Sequence, residues 1–191
     1  MPALRELSWP KQTERLSLRM FEEADIEALW RIRSDPAVAE WMTSLTGELA
    51  PFAELICEPV RMASTLVVEL DGRIIGDLMF RTEDPWAQAE VKEQAAGKQA
   101  ELGWCFAPEV QGNGYATESV AELIRIAFAE VGLHRVTANC FTANAPSWRI
   151  MERVGMRREA HSIKDALHRD HGWCDGFVYA LLAEEWRATV G

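Results

Sequence analysis

Hydrophobic and polar positions along the chain follow two different periods, which predicts a mixture of strands and helices. Alternation at about every second residue marks strands near residues 14–20, 65–70, 73–80, 101–106, 134–141, 158–166 and 173–182. Apolar residues at three- and four-residue intervals mark helices, most clearly from Val120 to Val131, and Gly132 ends that pattern. Strands that alternate with helices predict an α/β architecture of three layers.

Local signals place the turns and helix starts of the first half. Asp35–Pro36 ends one helix, which carries Ile26 and Leu29, and can start another; Pro51 begins a further helical stretch. Asp71–Gly72 lies between two strand-like segments, and Asp-Gly is the turn that two-residue hairpins prefer. The sequence therefore predicts a helical region followed by a β-hairpin.

The segment from Glu83 to Ala100 is polar and opens with Asp84–Pro85, so we expect it to form a polar helix. It separates two strand-like segments, and we interpret residues 83–100 as a helical insertion within a single domain spanning residues 1–191. Trp86 departs from this polarity. We expect it to pack onto the domain, with closure over an active site or a dimer contact as the alternatives.

Composition and charge exclude several classes of protein. The net charge of −10 argues against broad binding to nucleic acids or membrane surfaces, because phosphate-rich partners need a basic footprint. No apolar run approaches the length of a transmembrane span, and the first residues do not resemble a secretory signal. We therefore expect a cytoplasmic protein with no nucleic-acid or membrane partner.

The four cysteines, Cys57, Cys105, Cys140 and Cys174, are far apart in the sequence and form no C-x-x-C pair. We expect free thiols, and we expect Cys105 and Cys140 to act as small hydrophobic residues of strands rather than as nucleophiles. The segment from His168 to Cys174 brings two imidazoles and a thiol together. Its spacing fits no standard zinc site, so we expect no metal.

The strongest candidate for a binding site is Gln111–Ala116, which follows a predicted strand and opens the long amphipathic helix. A helix start has backbone N–H groups without helical partners and carries partial positive charge, so it can bind an anion. Gly112 and Gly114 would let the backbone approach a phosphate closely. The spacing fits neither the P-loop nor the dinucleotide fingerprint, which disfavours ATP and NAD; a simple tight turn is the alternative.

A second segment, Asn144–Met156, has the features of a short helix. Asn144 can cap the helix, Pro146 suits its first turn, and Gly155 can end it in a left-handed conformation. Taken singly, Asn144 and Ser147 could be no more than a cap and a first-turn residue.

Together the two segments resemble the GNAT N-acetyltransferase superfamily. Gln111, Gly114 and Ala116 match its Q/R-x-x-G-x-G/A loop, and residues 144–156 resemble its N-x-x-S segment. Ser147 is similar to the serine of the branch that contains the ribosomal-protein-alanine N-acetyltransferases. The resemblance covers most of the chain. It implies a three-layer α/β fold with a central mixed, mostly antiparallel sheet flanked by helices, in which the early helices form one wall of the acceptor pocket.

The resemblance also implies which residues bind acetyl-coenzyme A as the acyl donor. The loop would hold the pyrophosphate, the backbone of the preceding strand would bind the pantetheine arm, and the second segment would face the same molecule. The residues so implicated are Trp104, Cys105, Phe106, Gln111, Gly112, Asn113, Gly114, Tyr115, Ala116, Thr117, Asn144 and Ser147.

Two residues are the main candidates for proton transfer. Glu101 is our choice for the base that takes a proton from the amine, directly or through water, with a strand-end ion pair as the alternative. Many superfamily members have a tyrosine acid where this chain has Met151, and the Ser147 hydroxyl, or a water that it orders, is the implied substitute. Asp77 and Glu118 are lesser candidates for the base, and the helix dipole alone accounts for Glu118.

These features predict an N-acetyltransferase that moves an acetyl group from acetyl-coenzyme A to a primary amine in a ternary complex. The alternative is a catalytically inactive acyl-coenzyme-A-binding module, a sensor or a partner subunit, which keeps the loop but has lost its acid and base groups; Met151 is its best support. The acceptor stays open among a protein N-terminus, an antibiotic amine, a polyamine and a small metabolite, although an acidic surface favours a cationic acceptor. Pairing of the chain with itself as a homodimer also stays open.

Overall fold

The computed structural model describes residues 3–190, which form eight strands and eight α-helices. The strands are β1 (Lys11–Gln12), β2 (Ser17–Met20), β3 (Thr65–Leu70), β4 (Arg73–Glu83), β5 (Gln99–Phe106), β6 (Arg135–Phe141), β7 (Arg157–His168) and β8 (Gly172–Leu182). The α-helices are α1 (Ile26–Arg33), α2 (Pro36–Ala39), α3 (Leu49–Ile56), α4 (Pro59–Ser64), α5 (Lys92–Ala95), α6 (Tyr115–Arg125), α7 (Ala145–Arg153) and α8 (Ala183–Val190).

The strands form one sheet in the order β1-β2-β3-β4-β5-β6-β8-β7. Strands β5 and β6 are parallel, whereas β1–β2, β2–β3, β3–β4, β6–β8 and β7–β8 are antiparallel pairs. The expectation of an α/β fold with a mixed, mostly antiparallel sheet is therefore confirmed. Within residues 3–190, no helix combines the length and the apolar character that crossing a bilayer requires.

Two compact units can be distinguished along the chain. Of the described residues, the first unit contains 3–80 and 103–123, and the second contains 81–102 and 124–190. The boundaries between the units fall within β4, β5 and α6.

In the first unit, helices cover one face of β3. Five side chains, from α1, α3, β3 and the residue that follows β2, form one apolar cluster on that face: Phe21, Leu29, Phe52, Ile56 and Val67. Leu66 and Val68 point to the opposite face, because successive residues of a strand alternate, and both are also fully buried. Both faces of β3 are thus covered at its centre, which agrees with the apolar run Leu66–Val68.

The hairpin between β3 and β4 confirms the sequence prediction. Asp71 and Gly72 both have positive φ, at 51° and 77°, as a type I′ turn requires at its two central residues. The turn fixes the register of β4 against β3 and so sets which residues of β4 point inward.

In the second unit, α7 and α8 pack against buried aromatic residues. The Tyr179 hydroxyl of β8 donates a hydrogen bond of 3.0 Å to Glu152 of α7, and burial followed by that carboxylate raises the pKa of Tyr179 to about 12. The Phe128 ring lies 5.7 Å from the Trp186 ring of α8. Phe128 belongs to a π-helical turn, Ile126–Val131, which follows α6 and ends at Gly132 with φ 78°, as the sequence predicts.

The prediction of a polar helix over residues 83–100 is wrong for most of the segment. Strand β4 continues to Glu83 and β5 begins at Gln99, leaving a short 3₁₀ turn and the four-residue helix α5 between them. The segment is largely exposed and has no apolar face to bury, so a longer helix would lack the packing that stabilises helices in water. Trp86 is 90% exposed, and the expectation that it packs onto the domain is wrong as well.

Candidate functional site

The loop before α6 has the backbone conformation that its glycines predict. Gly112 and Gly114 have φ of 80° and 83°, in a region that residues with a Cβ atom rarely adopt. The side chain of Asn113 donates hydrogen bonds to the carbonyls of Val110 and Gln111, at 3.1 and 3.2 Å. The loop is therefore held from inside while its backbone faces solvent.

The start of α6 presents backbone donors beside this loop. The Glu118 amide donates to the Gly114 carbonyl at 3.0 Å, which is the first hydrogen bond of the helix. The amides of Tyr115, Ala116 and Thr117 come before it, and a helix offers no carbonyl to amides at its start. A pyrophosphate needs several donors and a small, exposed backbone, so the residues present fit such a group.

Four hydrogen bonds that sequence reasoning missed connect Thr13 and Arg15 to the loop and to Glu118 of α6, one of them from the Arg15 amide to Glu118 Oε1 at 3.0 Å. Arg15 donates from Nη1 to the Asn113 carbonyl at 3.0 Å and from Nε to Glu118 Oε2 at 2.7 Å. The Thr13 hydroxyl donates to Glu118 Oε1 at 2.5 Å. The partners lie about a hundred positions apart, so no local pattern could have revealed them. Glu118, a lesser candidate for the base, is held in these contacts.

The strand that leads to the loop exposes little of its side chains. Cys105 and Phe106 are 6% and 7% exposed, and the Ala107 amide donates to the Ile75 carbonyl at 2.9 Å. Burial, followed by the nearby Asp77 charge, raises the pKa of the Cys105 thiol well above its ordinary value. Cys105 is therefore a packed hydrophobic residue, as predicted, and the backbone of Trp104–Phe106 is what this segment could offer to a ligand.

Asp77, the other lesser candidate for the base, is buried in an ion pair. Arg33 of α1 donates from Nε to Asp77 Oδ2 at 3.0 Å and from Nη2 to Oδ1 at 2.5 Å. The Arg33 guanidinium also lies 5.9 Å from the Phe52 ring of α3. The ion pair anchors α1 to the sheet within the first unit. A cavity of about 20 Å³, lined in part by Arg33, Phe52 and Ile56, lies among these early helices.

Glu101, the main candidate for the base, has two partners in the second unit. Its carboxylate pairs with Arg81 of β4 and accepts a hydrogen bond of 3.0 Å from the Asn139 side chain of β6. The Glu101 side chain is 17% exposed. This placement agrees with the strand-end ion pair that was the alternative interpretation, so a catalytic role for Glu101 stays a prediction.

The second segment forms α7 and is capped as predicted. The Asn144 side chain accepts a hydrogen bond from the Ser147 amide at 3.3 Å, and Gly155 ends the helix with φ 83°. Met151, at the position of the usual tyrosine acid, is 1% exposed and packs in the core. Burial raises the pKa of the Cys140 thiol to about 11, and a hydrogen bond with the Ser147 side chain opposes that shift.

The two candidates for proton transfer contact opposite faces of β6. Glu101 contacts Asn139, whereas Ser147 contacts Cys140, and these are consecutive residues of one strand. Because consecutive side chains of a strand point to opposite faces, β6 separates the two groups. The structure therefore does not bring Glu101 and Ser147 together at β6.

The histidine-rich turn between β7 and β8 has a structural explanation. His168 is 3% exposed, and its Nδ1 accepts hydrogen bonds from the amides of Asp170 and His171, at 3.1 and 3.3 Å. Cys174 contacts the carbonyl of Gly172. Among residues 3–190, no three His, Cys, Asp or Glu side chains are grouped as metal ligands would be. Each of the four cysteines is a free thiol.

Comparison with known proteins identifies a family. The model of the acetyltransferase (GNAT) domain family matches residues 15–157. The uncharacterized N-acetyltransferase YnaD of Bacillus subtilis is 31% identical over 91% of this chain and 97% of its own length. The alanine N-acetyltransferase of ribosomal protein uS5 from Escherichia coli is 31% identical over 44% of this chain and 43% of its own length.

A solved structure supports the same assignment at the level of the fold. The spermidine N-acetyltransferase of Vibrio cholerae, in complex with CoA and spermine, superposes with a TM-score of 0.75. The alignment covers 92% of this chain and 99% of that chain at 18% identity. Similarity at this identity concerns the fold, and the two relatives named above carry the similarity in sequence.

Proposed function

The chain belongs to the GNAT acetyltransferase family and is an acetyl-coenzyme-A-dependent N-acetyltransferase, and from this premise we propose that it acetylates a primary amine by direct transfer in a ternary complex. The single observation that carries the proposal is the loop Gln111–Gly114 at the start of α6. Its two glycines with positive φ and the helix amides that follow suit a pyrophosphate.

In this proposal the loop and the preceding strand each have one task. The backbone of Gln111–Gly114 and the amides of Tyr115–Thr117 bind the pyrophosphate of the donor. The backbone of Trp104–Phe106 binds the pantetheine arm as a neighbouring strand would, which leaves the packed side chains of Cys105 and Phe106 undisturbed. Asn144 and Ser147, at the start of α7, are our further candidates for contacts with the donor.

The chemical step requires a neutral amine and a protonated leaving group. Acetyl-coenzyme A supplies a thioester, whose carbonyl carbon forms the new C–N bond as its C–S bond breaks. Glu101 takes the proton that the amine nitrogen loses, directly or through a water. Because β6 lies between Ser147 and Glu101, the proton for the departing sulfur comes through a water that the Ser147 hydroxyl orders, and not from the hydroxyl directly. Met151 cannot supply that proton, and the modest basicity of a thiolate makes a strong acid unnecessary.

The acceptor in this proposal is a positively charged primary amine. The net charge of −10 favours the approach of a cationic acceptor over an anionic one. The relative that acts on the alanine of ribosomal protein uS5 uses a protein N-terminus, and the structural neighbour named for spermidine uses a polyamine. Because one fold serves both, an amine screen has to include peptides with free N-termini and polyamines.

The test of this proposal is isothermal titration calorimetry of the purified protein with acetyl-coenzyme A. The parent should bind, and Gly114→Trp should abolish binding, because a large side chain at φ 83° obstructs the loop. Gly72→Trp is the matched control, since it places the same side chain at φ 77° in the hairpin turn and should leave binding intact. A folded parent that does not bind, or a Gly114→Trp variant that binds like the parent, would overturn the proposal.

A further inference from the structure

Arg15 contacts the loop before α6 and two residues in the first turn of that helix. Its Nη1 donates to the Asn113 carbonyl and its Nε donates to Glu118, while its guanidinium carbon lies 4.6 Å from the centre of the Tyr115 ring. A second nitrogen, Nη2, lies 2.6 Å from Glu118 Oε2. One side chain therefore contacts the loop, the first residue of α6 and the first turn of that helix.

Glu118 creates the need for such a cation. A carboxylate in the first turn of a helix is favoured by the helix dipole, but it repels a phosphate bound at the same helix start. Burial alone would raise the pKa of Glu118, yet hydrogen bonds from Thr13 and Arg15 outweigh it and lower the pKa below its usual value. The carboxylate thus stays charged, and Arg15 is the cation paired with it.

We propose that Arg15 is a positioning residue for the donor's phosphates, acting by fixing the Asn113 carbonyl and neutralising Glu118. This inference rests on the proposed function, in which Gln111–Gly114 holds a pyrophosphate. Thr13 supports the arrangement, since its hydroxyl accepts from the Leu16 amide at 2.9 Å and donates to Glu118. A turn at the start of the chain therefore shapes the charge and the geometry of a loop about a hundred residues later.

The location of Arg15 limits its effect to one half of the donor. The loop would contact the nucleotide phosphates, whereas the acetyl group would lie at the other end of the pantetheine arm. Loss of Arg15 should therefore weaken binding of the donor without slowing the chemical step. For a short donor that lacks the nucleotide, such as acetyl-pantetheine, the KM should be the same with and without Arg15.

The experiment compares Arg15→Gln with the parent. We expect the Kd for coenzyme A and the KM for acetyl-coenzyme A to rise about tenfold, the scale of one lost charge-assisted hydrogen bond, with kcat unchanged. Arg15→Lys keeps the charge but cannot make both contacts, so its Kd for coenzyme A should lie between those of the parent and Arg15→Gln. Arg73→Gln is the matched control, because it removes an exposed arginine that pairs with Glu109 in the same unit.

The outcomes separate this inference from the function on which it rests. A parent that does not bind coenzyme A would overturn the proposed function itself. A parent that binds, together with an Arg15→Gln variant of the same Kd, would overturn the role of Arg15 alone. A fall in kcat with unchanged KM would also contradict it. If Arg15→Gln does not fold, Arg15→Lys decides, and a Kd equal to the parent's would overturn the inference.

Discussion

Glu101 is a single residue for which two explanations compete. The ion pair with Arg81 and the hydrogen bond from Asn139 satisfy its carboxylate as a structural group would be satisfied. Its position at the start of β5, three residues before the segment that we assign to the pantetheine arm, suits a base. Both descriptions are consistent with a side chain that is 17% exposed, so a kinetic measurement has to separate them.

Replacement of Glu101 by glutamine distinguishes a structural role from a catalytic one. An amide cannot take a proton, so we expect kcat to fall about 100-fold while the Kd for acetyl-coenzyme A is unchanged. Steady-state kinetics and titration of the same sample provide the two numbers.

Glu159→Gln is the control for loss of an ion pair. Glu159 pairs with Arg135 and Arg157 in the same unit, and its replacement should leave kcat at the parent's value. Parent-like kcat in Glu101→Gln would mean that the carboxylate has a structural role alone.

Residue roles were predictable from sequence where the cause is local. The positive φ of Gly112 and Gly114 and the capping bond of Asn144 follow from residue types within a few positions of each other. Arg15 and Arg33 were not predictable, because their partners are distant in sequence. Neither an arginine before a strand, as Arg15 is, nor one at the end of a helix, as Arg33 is, has a local signature of the carbonyl or carboxylate that it will contact after folding.

At the scale of elements, β4 and β5 come unusually close at Gly76. A Cβ atom placed on Gly76 would lie 2.5 Å from the Cys105 carbonyl oxygen and 2.7 Å from the Phe106 ring. Side chains essentially never approach backbone that closely. The absence of a side chain at Gly76 therefore allows β4 to pack against the segment of β5 that we assign to the pantetheine arm.

The substitution Gly76→Ala should separate these two strands locally. We expect the free energy of unfolding to fall by about 1–3 kcal/mol, as overpacking of a well-packed site does, and the KM for acetyl-coenzyme A to rise. Urea unfolding and steady-state kinetics measure the two effects.

Gly103→Ala is the matched control on β5. Its Cβ would approach the Met79 side chain at 3.3 Å, and a flexible methionine can move aside. The control should therefore stay within about 1 kcal/mol of the parent. Equal losses in the two variants would contradict the close approach at Gly76 as the cause.

Elements were predictable where their sequence pattern is strong. The hairpin at Asp71–Gly72 and the long helix ending at Gly132 have local turn chemistry and clear periodicity, and both are confirmed. The segment over residues 83–100 has neither. Its polarity predicts a helix, whereas β4 includes the first residue and β5 includes the last two, through pairing that depends on distant strands.

At the scale of the whole molecule, contacts made on folding stabilise the charged form of several acidic residues. Glu118, Glu159 and Asp175 all have pKa values lowered in the folded protein. Burial would raise the pKa of Glu118, but the hydrogen bonds from Thr13 and Arg15 outweigh it. The side chain of Arg135 is the main cause of the lowered pKa of Glu159. The hydrogen bond from the Lys164 amide is the main cause for Asp175. Each carboxylate therefore prefers the folded state when it is charged.

Stability should consequently decline in acid. A group whose pKa is lowered by folding stabilises the protein above its unfolded pKa, here 4.5 for the glutamates, and that contribution is lost as the pH falls through the folded value. We expect the midpoint of urea unfolding to be lower at pH 3.5 than at pH 6.5.

Glu118→Gln tests whether this carboxylate contributes. The parent should be more stable than the variant at pH 6.5, and the difference should shrink as the pH falls below 4.5, because protonation removes the same charge from the parent. A difference that is constant from pH 6.5 to pH 3.5 would exclude Glu118 as a source of the acid sensitivity.

The distance of Arg15 from the loop also orders events during synthesis. Arg15 leaves the ribosome 103 residues before Glu118, an interval of about 5–20 s at ordinary rates of translation. During that time β2 can already pair with the hairpin of β3 and β4, while the loop that Arg15 contacts in the folded protein has not yet been synthesised. The last event in this unit is then the docking of a newly made helix onto a residue that was translated 103 positions earlier.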